Sequence, residues 1–251
     1  MEIREISKNI FLFRFDKALE NFIGINIIMI QNGNEALLID TGYENNFLEL
    51  QDHLDKNNIR VTDVVVSHFH PDHIGGLKYL KDANIYGSEL GEISLRKYNV
   101  DIDHLIPNIK VLEELSINFG GHNIKLVKNP GHSIDGMLIS IDNKYLYVAD
   151  DMVFSHKGLA LVPFCADRNV QNHISSIEKI SNCYIGKIII PSHGEIIENQ
   201  ELIKLDLENR LTYLKYIQKY PNCSFQEFVE ETGIKLIGIK NHVYNTKKEV
   251  K

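Results

Sequence analysis

The sequence has few of the residues that cross-link or interrupt a chain. It contains three cysteines and six prolines among 251 residues, and no Cys-x-x-Cys pair occurs. This cysteine usage excludes a disulfide scaffold and a thiolate zinc site, and it is typical of a reducing compartment. No proline-rich, glycine-rich or serine-rich stretch marks a linker. We therefore predict one domain over residues 1–251, with helices at about 201–231 as a C-terminal appendage.

Long apolar runs are also missing. Runs such as Ile27–Ile30 have the length of a strand, well short of the ~18 apolar residues that a membrane helix needs. The first eight residues, Met1–Lys8, lack a basic start followed by an apolar run, so no signal peptide is predicted. We expect a cytoplasmic protein with no membrane partner.

Basic residues are fewer than acidic ones. The 27 Lys and Arg residues against 34 Asp and Glu residues give a formal net charge of −7, and no Lys/Arg-rich block occurs. An acidic surface repels phosphate backbones, so nucleic acid is not an expected partner. The 43% of hydrophobic and 24% of charged residues exclude a disordered or coiled-coil chain. The expected partner is a small-molecule substrate, and a homodimer remains open.

The apolar residues that are present alternate between strand and helix patterns. Strands are predicted at 10–15, 25–31, 35–40, 63–67, 122–128, 137–141, 144–149 and 187–190. Helices are predicted at 44–57, 74–81, 88–97, 170–182, 201–219 and 224–231. Asn32-Gly33 is typical of a hairpin turn between the second and third strands.

The order of these elements repeats weakly between the two halves of the chain. Each half has a hairpin whose second strand ends in an aspartate, Asp40 or Asp150, then a helix, and then a strand that ends in Ser-His. If the halves are duplicates, the polar strand ends gather on one edge of the molecule. Because α/β chains generally look repetitive at this resolution, duplication and coincidence both remain open.

The densest group of chemically active residues follows the Val-rich strand at 63–67. Residues 68–73 read His-Phe-His-Pro-Asp-His, so three imidazoles and a carboxylate lie within six residues. Imidazole and carboxylate together suit zinc, iron or manganese. Gly75-Gly76 permits tight packing where the next helix begins. A surface or core role explains single histidines well. It does not explain three histidines and an aspartate that lie together behind one apolar strand.

Three further polar residues follow apolar strands. His132 lies in a Pro-Gly turn after the strand at 122–128, and His193 follows three isoleucines. Asp150 ends an apolar strand, where a buried carboxylate needs a partner or a metal. Its neighbour Asp151 complicates the choice of ligand.

Together these motifs resemble the metallo-β-lactamase superfamily. The match consists of His-x-His-x-Asp-His at 68–73, Gly-His-Ser at 131–133, the strand-end Asp150, and Ser-His-Gly at 192–194. Asp-Thr-Gly at 40–42 resembles the turn that precedes the first helix of that family. The resemblance spans roughly residues 10–195. It implies an α/β (α+β) fold, namely a four-layer αββα sandwich of two mixed β-sheets flanked by helices.

The resemblance also implies a dinuclear metal site. The residues that match the ligands of one metal are His68, His70 and His132, and those that match the ligands of the second are Asp72, His73 and His193. Asp150 would bridge the two ions. It is preferred to Asp151 because it matches the strand-end Gly-Asp of the family, with Ala149 in place of glycine. Asp40 is expected to be structural, hydrogen-bonded beneath the site. The expected cofactors are two divalent ions, zinc first, with iron or manganese as alternatives.

Such a site predicts hydrolysis. Two metal ions can bind one hydroxide between them and lower the pKa of bound water to about 7. The predicted reaction is hydrolysis of an ester, thioester, lactone, amide or phosphoester, with Asp72 as the catalytic residue that orients the hydroxide or moves its proton. No serine or cysteine nucleophile is needed, and Cys165 is expected to pack rather than react.

Several alternatives remain open within the resemblance. A mononuclear iron dioxygenase of the persulfide type uses the equivalents of His68, His132 and Asp150. A flavodiiron protein has glutamate where His70 stands and carries a flavodoxin extension. A nucleic-acid phosphodiesterase usually adds a basic surface. The lactonases of the family have a tyrosine where Val153 stands, and a binding module without activity does not explain seven filled ligand positions.

The segment 151–170 has two competing interpretations. Its apolar residues either line a pocket, with Arg168 or Lys157 facing an anionic group, or form a packing loop in which Asp167 or Asn169 caps a helix. His156 and His173 are expected at the surface rather than among the ligands.

Overall fold

Two β-sheets pack face to face in the computed structural model, which describes residues 1–15, 23–98, 105–155 and 158–246. The first sheet has seven strands in chain order: β1 (Glu2–Ser7), β2 (Ile10–Phe15), β3 (Ile25–Asn32), β4 (Glu35–Ile39), β5 (Arg60–Val65), β6 (Asn84–Ser88) and β7 (Ile109–Val111). Strands β1 to β4 pair antiparallel, and β4 to β7 pair parallel, so the sheet is mixed.

The second sheet has five strands. They are β8 (Glu114–Phe119), β9 (His122–Lys128), β10 (Met137–Ile141), β11 (Tyr145–Ala149) and β12 (Ile188–Pro191), in the order β12-β11-β10-β9-β8. Only the β11–β12 pair is parallel, so this sheet is also mixed. Helices cover the outer faces: α1 (Glu44–Lys56), α2 (Pro71–Ile74), α3 (Gly91–Lys97), α4 (Val170–Cys183), α5 (Gln200–Lys219), α6 (Phe225–Thr232) and α7 (Ile239–Thr246).

Alternation along the central strands explains the layers. In β4, Leu37 and Ile39 point into the core between the sheets, whereas Leu38 points to the core beneath α1. In β11, Tyr147 lies between the sheets and Val148 faces the α4 side. Strands buried on both faces read as continuous apolar runs, because successive side chains point to opposite faces. The predicted αββα sandwich is confirmed.

The outer helices bury one stripe each. Helix α1 buries Phe47, Leu50 and Leu54 against the first sheet, at the spacing of one helix face. Helix α4 buries an isoleucine stripe against the second sheet, and α5 packs along α4 with residues such as Tyr213 in the same core. Tyr213 of α5 is fully buried, whereas Tyr220, directly after the helix, is exposed.

The repeat seen in the sequence has a structural counterpart. A hairpin, β3-β4, is followed by α1 and by β5, which pairs parallel to β4. Another hairpin, β10-β11, is followed by α4 and by β12, which pairs parallel to β11. The turn of the second hairpin is formed by Asp142 and Asn143, both at positive φ. The polar ends of the parallel strands therefore meet at one edge of the sandwich.

Some predicted elements are wrong. The predicted helix at 74–81 is a single turn, α2, followed by a short 3-10 turn at Leu77–Tyr79, because Gly75 and Gly76 separate the two. The predicted helix at 88–97 begins only at Gly91, since residues up to Ser88 pair as β6. Strands β1, β6, β7 and β8 and helix α7 were not predicted; β1 is largely exposed and β7 has three residues.

The expected tight packing at Gly75 and Gly76 is confirmed. A Cβ on Gly75 would lie 2.4 Å from the backbone nitrogen of Glu44, and one on Gly76 would lie 2.3 Å from the Phe47 ring. These distances are too short for real Cβ atoms, so only glycine lets α2 approach the start of α1 this closely.

Within the described ranges, no helix combines the length and the apolar character that crossing a bilayer requires.

Candidate metal centre

The seven predicted ligands all follow the ends of strands. His68 and His70 lie in the loop after β5, and Asp72 and His73 lie in α2, whose first residue is Pro71. The second sheet supplies the others: His132 after β9, Asp150 directly after β11, and His193 after β12. The first sheet therefore contributes four of these side chains and the second sheet three.

These side chains form two groups that share one carboxylate. His68, His70, His132 and Asp150 make one group, and Asp72, His73, His193 and Asp150 make the other. Within each group, one potential ligand atom per residue lies within 4.8 Å of all the others. This division matches the one implied by the resemblance, with Asp150 rather than Asp151 in the shared position.

Three of the histidines are held by acceptors that fix their orientation. The Nδ1–H of His132 donates to the Phe164 carbonyl at 2.8 Å, and that of His193 donates to the Gly24 carbonyl at 2.6 Å. The Nδ1–H of His73 donates to the Asp40 carboxylate at 2.7 Å. Because the outer acceptor occupies Nδ1, Nε2 is the ring atom directed at the site, and it presents a lone pair whenever the imidazole is neutral.

The other two histidines, His68 and His70, direct different ring nitrogens at the site. His68 has its Nδ1 3.2 Å from the Ser67 hydroxyl and directs Nε2 inward. His70 is reversed, because its Nε2 lies 2.7 Å from the Tyr98 hydroxyl and its Nδ1 faces inward. The His70 Nδ1 lies 3.0 Å from Nε2 of His68 and 3.0 Å from Nε2 of His132. Three ring nitrogens therefore converge on one point.

This arrangement fits a metal better than it fits a hydrogen-bond network. The Nε2 of His73 is buried without a hydrogen-bond partner among the described residues and lies 3.3 Å from Asp150. Converging imidazole lone pairs beside carboxylates, each imidazole oriented by an outer partner, are the donor set of a divalent metal site. The residues present therefore fit two divalent ions.

Electrostatics differ between the two groups. Burial and the neighbouring His132 lower the pKa of His70 to about 3, which keeps its imidazole neutral. Burial also opposes charge on His193, but Asp150 and Asp72 outweigh it and raise the pKa of His193 to about 10. Burial would raise the pKa of Asp72, yet His73 and His193 lower it to about 2. Without metal, the first group therefore keeps His70 neutral, whereas the second pairs ionised carboxylates with a protonated His193, whose proton a metal ion would replace.

Asp40 lies beneath the site, as predicted. Its carboxylate accepts hydrogen bonds from the backbone and the hydroxyl of Ser67, from His73 and from the Tyr147 hydroxyl, at 2.7 Å each. Tyr147 belongs to β11 of the second sheet. The Asp40 side chain therefore links the two sheets directly below the ligands.

Asp151 supports the site from the opposite side. It accepts a hydrogen bond from the backbone of His132 at 3.0 Å and another from Asn129 at 2.8 Å. His173 lies 3.3 Å from Asp151 and is fully buried, so the prediction of a surface position for His173 is wrong. His173 joins the buried face of α4 because Asp151 provides a polar neighbour inside the core. His156 lies outside the described residues.

Cys165 packs in the same region. Its thiol is buried, 3.5 Å from His173, and burial raises its pKa to about 12. A thiol that stays protonated is a poor nucleophile, which agrees with the expected packing role.

Asn169 caps α4, as one interpretation of the segment predicted, whereas Asp167 accepts hydrogen bonds from Ile134 and Lys97.

Apart from Asp40, sequence analysis missed the outer partners of the ligands. Tyr98 lies 28 residues from His70, and no local pattern marks it. Asp135 is buried and accepts a hydrogen bond from the backbone of Phe69, which ties the 68–73 loop to the 131–136 turn. Asp151 had a usable signal, because two aspartates after an apolar strand cannot both be left without partners.

The backbone is strained immediately before the shared carboxylate. Ala149 has φ 46°, in the left-handed region that favours glycine. An alanine there costs about 1–2 kcal/mol relative to a right-handed conformation. The departure from the strand-end Gly-Asp pattern therefore keeps the turn but adds strain beside Asp150.

The sequence matches the profile of the Metallo-beta-lactamase superfamily over residues 21–193. The chain belongs to this superfamily. The match covers more than half of the chain and includes all seven predicted ligands.

Two curated relatives share about a quarter of their aligned residues with this chain. The Beta-lactamase-like protein 2 homolog of Drosophila melanogaster is 27% identical over 188 residues, covering 70% of this chain and 60% of that protein. The atrochrysone carboxyl ACP thioesterase of Aspergillus fumigatus is 25% identical over 193 residues, covering 74% of this chain and 56% of that protein. The chain therefore spans somewhat over half the length of these two relatives.

Solved structures share the fold. The metallo-beta-lactamase from Pontibacter korlensis superposes with a TM-score of 0.70 at 21% identity, covering 85% of this chain and 98% of that chain. The DIM-1 metallo-beta-lactamase superposes with a TM-score of 0.68 at 19% identity, covering 86% of this chain and 96% of that chain. At this identity the likeness concerns the fold alone.

The contact between Tyr98 and His70 predicts a measurable effect on metal affinity. Replacing Tyr98 with phenylalanine removes the hydroxyl that lies 2.7 Å from His70 Nε2. We expect metal affinity to fall by about 10–100-fold, as is typical when an outer partner of a ligand is removed. Competition with a chromophoric zinc chelator measures this change.

Tyr86→Phe is the matched control, because the Tyr86 hydroxyl contacts Asp63 away from the site. Equal affinities in the wild type and both variants would show that Tyr98 does not orient His70.

Proposed function

We propose that this superfamily member is a hydrolase that uses two divalent metal ions, zinc in the first instance, to cleave a carboxylic ester or thioester of a small molecule. The observation that carries the proposal is the pair of ligand groups sharing Asp150. The thioesterase among its relatives supports an acyl substrate. The bound ions would lower the pKa of coordinated water and polarise the carbonyl to be attacked.

The residues of the chain have distinct roles in this proposal. His68, His70 and His132 would hold one ion, Asp72, His73 and His193 the other, and Asp150 would bridge them. The outer hydrogen bonds of the histidines hold the ring orientations before substrate arrives, which reduces reorganisation during the reaction.

Asp72 is the proposed catalytic residue. Its side chain is 19% exposed and lines the cavity in front of the site, and its Oδ2 lies 3.4 Å from His193 Nε2. Because its pKa is low, Asp72 is ionised at neutral pH and is able to accept a hydrogen bond from the attacking water. In this position it would orient that water, accept its proton during attack, and return the proton to the departing alkoxide or thiolate.

The second ligand group distinguishes this proposal from the iron dioxygenase alternative. That alternative needs the equivalents of His68, His132 and Asp150, and it gives no role to Asp72, His73 and His193. A dinuclear hydrolase uses all seven side chains. We further propose that the protein acts in the cytoplasm on a small molecule, in keeping with its three free cysteines.

Elemental analysis of protein purified without chelator or affinity metal tests the metal proposal. We expect about two zinc or manganese ions per chain, one for each ligand group. The loaded protein is then assayed with p-nitrophenyl esters and acyl thioesters. About one iron per chain, with oxygen consumption on addition of a persulfide, would replace the hydrolase by the dioxygenase.

A further inference from the structure

A cavity of about 580 Å³ opens in front of the metal centre. At one end it is bounded by polar side chains of the site, among them Asp72, His132, Asp150 and His193. The rest of its lining includes an apolar wall, which we define as Val153, Leu161, Phe164, Ile237 and Ile239. The volume falls within the range of small-molecule sites, about 300–1,000 Å³.

The apolar wall is continuous with the centre. Val153 follows Asp150 by three residues, and the Phe164 ring lies 5.5 Å from the His132 ring, centroid to centroid. The Phe164 carbonyl also accepts the hydrogen bond that orients His132. A substrate with its reacting carbonyl at the ligands would therefore place an attached group along this wall.

Helix α7 is fixed in place as part of the wall. Asn241 donates to the Val162 carbonyl at 2.9 Å, and Asn245 donates to the Pro163 carbonyl at 2.7 Å. The backbone of Val162 also pairs with Ile237 at 2.8 Å. These bonds hold α7 against residues 160–165, so the wall exists before a ligand binds, and pre-organisation lowers the cost of binding.

The charge at the base of the wall is compensated. Arg210 lines the cavity, but it is paired with Asp206 at 2.5 Å and donates to the carbonyls of Val153 and Leu161. One interpretation of the segment had Arg168 or Lys157 facing an anionic group; Arg168 lies over the Tyr244 ring, and Lys157 lies outside the described residues. Lys240 also lines the cavity but is exposed, whereas the apolar wall itself carries no charged side chain. The wall is therefore suited to an apolar group, and Val153 and residues 161–164 have the role of lining a pocket.

Ile237 and Ile239 leave apolar surface exposed to water inside the cavity. They are 37% and 56% exposed, although both line a concave surface beside the site. Apolar area of this kind gains free energy when an apolar ligand removes it from water. Resting on the proposed function, we infer that the substrate is an ester or thioester of an apolar acyl group, and that the apolar wall binds the acyl chain.

The test compares acyl chains of increasing length. The metal-loaded protein is assayed with p-nitrophenyl acetate, butyrate, hexanoate and octanoate. We expect kcat/KM to rise by up to about fourfold for each methylene that enters the cavity. Ile239→Trp, which fills part of the cavity, is expected to reduce the octanoate-to-acetate ratio of kcat/KM at least about tenfold.

Leu205→Trp is the matched control, because Leu205 on α5 is 52% exposed and lies outside the cavity lining. A second variant, Leu161→Ser, removes apolar area from the wall without adding volume and should lower the same ratio.

Calorimetric binding separates the two proposals. Octanoate and acetate share the carboxylate, so tighter binding of octanoate, with a negative heat-capacity change, reports burial of the chain. Octanoate binding weakened by Ile239→Trp, with no hydrolysis of any ester, would uphold the pocket and overturn the proposed reaction. Hydrolysis at one rate for every chain length, with equal binding of octanoate and acetate, would overturn the pocket and leave the reaction intact.

Discussion

Replacing Asp150 with asparagine is expected to abolish stable metal binding and to lower kcat/KM by about 10³-fold or more. Asp150 is the only residue common to both ligand groups among the described residues, so its loss would remove a ligand from both groups at once. Losses of this size are typical when a group that stabilises charge in the transition state is removed. Elemental analysis after dialysis and steady-state assays measure the two effects.

Asp151→Asn provides the comparison, because the neighbouring carboxylate contacts the His132 backbone and Asn129 rather than the ligand atoms. We expect this variant to bind both ions with affinity reduced by about 10–100-fold, as for other outer partners. Full metal content in Asp150→Asn with metal lost from Asp151→Asn would reverse the assignment of the shared ligand. The thermal unfolding of both variants in chelator shows that each is folded.

Arg210→Met is expected to lower the free energy of unfolding by about 3–5 kcal/mol. Arg210 and its partner Asp206 are both buried, and removing one member leaves an uncompensated charge inside the protein. The carbonyls of Val153 and Leu161 also lose their donor. Urea denaturation of the metal-free protein measures the change without a contribution from bound ions.

The Arg210→Met loss should depend on pH in a defined direction. Burial already raises the pKa of Asp206 with Arg210 present, and removing the arginine raises it further. The native state then binds a proton more tightly than the unfolded state, so the variant loses stability as the pH rises above the carboxyl range of the unfolded chain. The destabilisation is therefore smaller in mildly acidic buffer than at neutral pH.

The Arg210→Met experiment has two controls. Lys215→Met breaks an ion pair with Glu178 in which both side chains are about half exposed, and should cost under about 1 kcal/mol. Adding Asp206→Leu to Arg210→Met removes the stranded charge and should restore part of the loss. An equal loss from Arg210→Met and Lys215→Met would show that the buried pair contributes no more than the surface pair.

The candidate ligands were accessible from the sequence because strong apolar strands precede them. The runs before His68, Asp150 and His193 predict strands, and the weak repeat between the two halves of the chain predicts that their polar ends gather on one edge of the molecule. Local pattern gave the positions of polar residues, but it did not divide them between two ions. That division came from the resemblance to the family, and the structure groups the side chains in the same way.

The surroundings of the ligands were not accessible in this way. Backbone carbonyls such as those of Gly24 and Phe164 orient His193 and His132, and a carbonyl has no residue type that marks it in a sequence. The burial of His173 depends on a contact with Asp151, made only when α4 packs on the second sheet. Such contacts join residues far apart in the chain, so the periodicity and spacing of residues in the sequence do not predict them.

The origin of the ligands in both sheets links metal binding to folding. An ion held by His68, His70 and His132 is bound only when the two halves of the sandwich are docked, because neither half offers the full set. A ligand that binds the native state alone stabilises it by about 4 kcal/mol at a thousand times its dissociation constant. The Asp40–Tyr147 hydrogen bond joins the two halves without the metal, and bound ions would add a second connection between them. The availability of metal in the surroundings would therefore set how long the folded protein persists, as well as how fast it works.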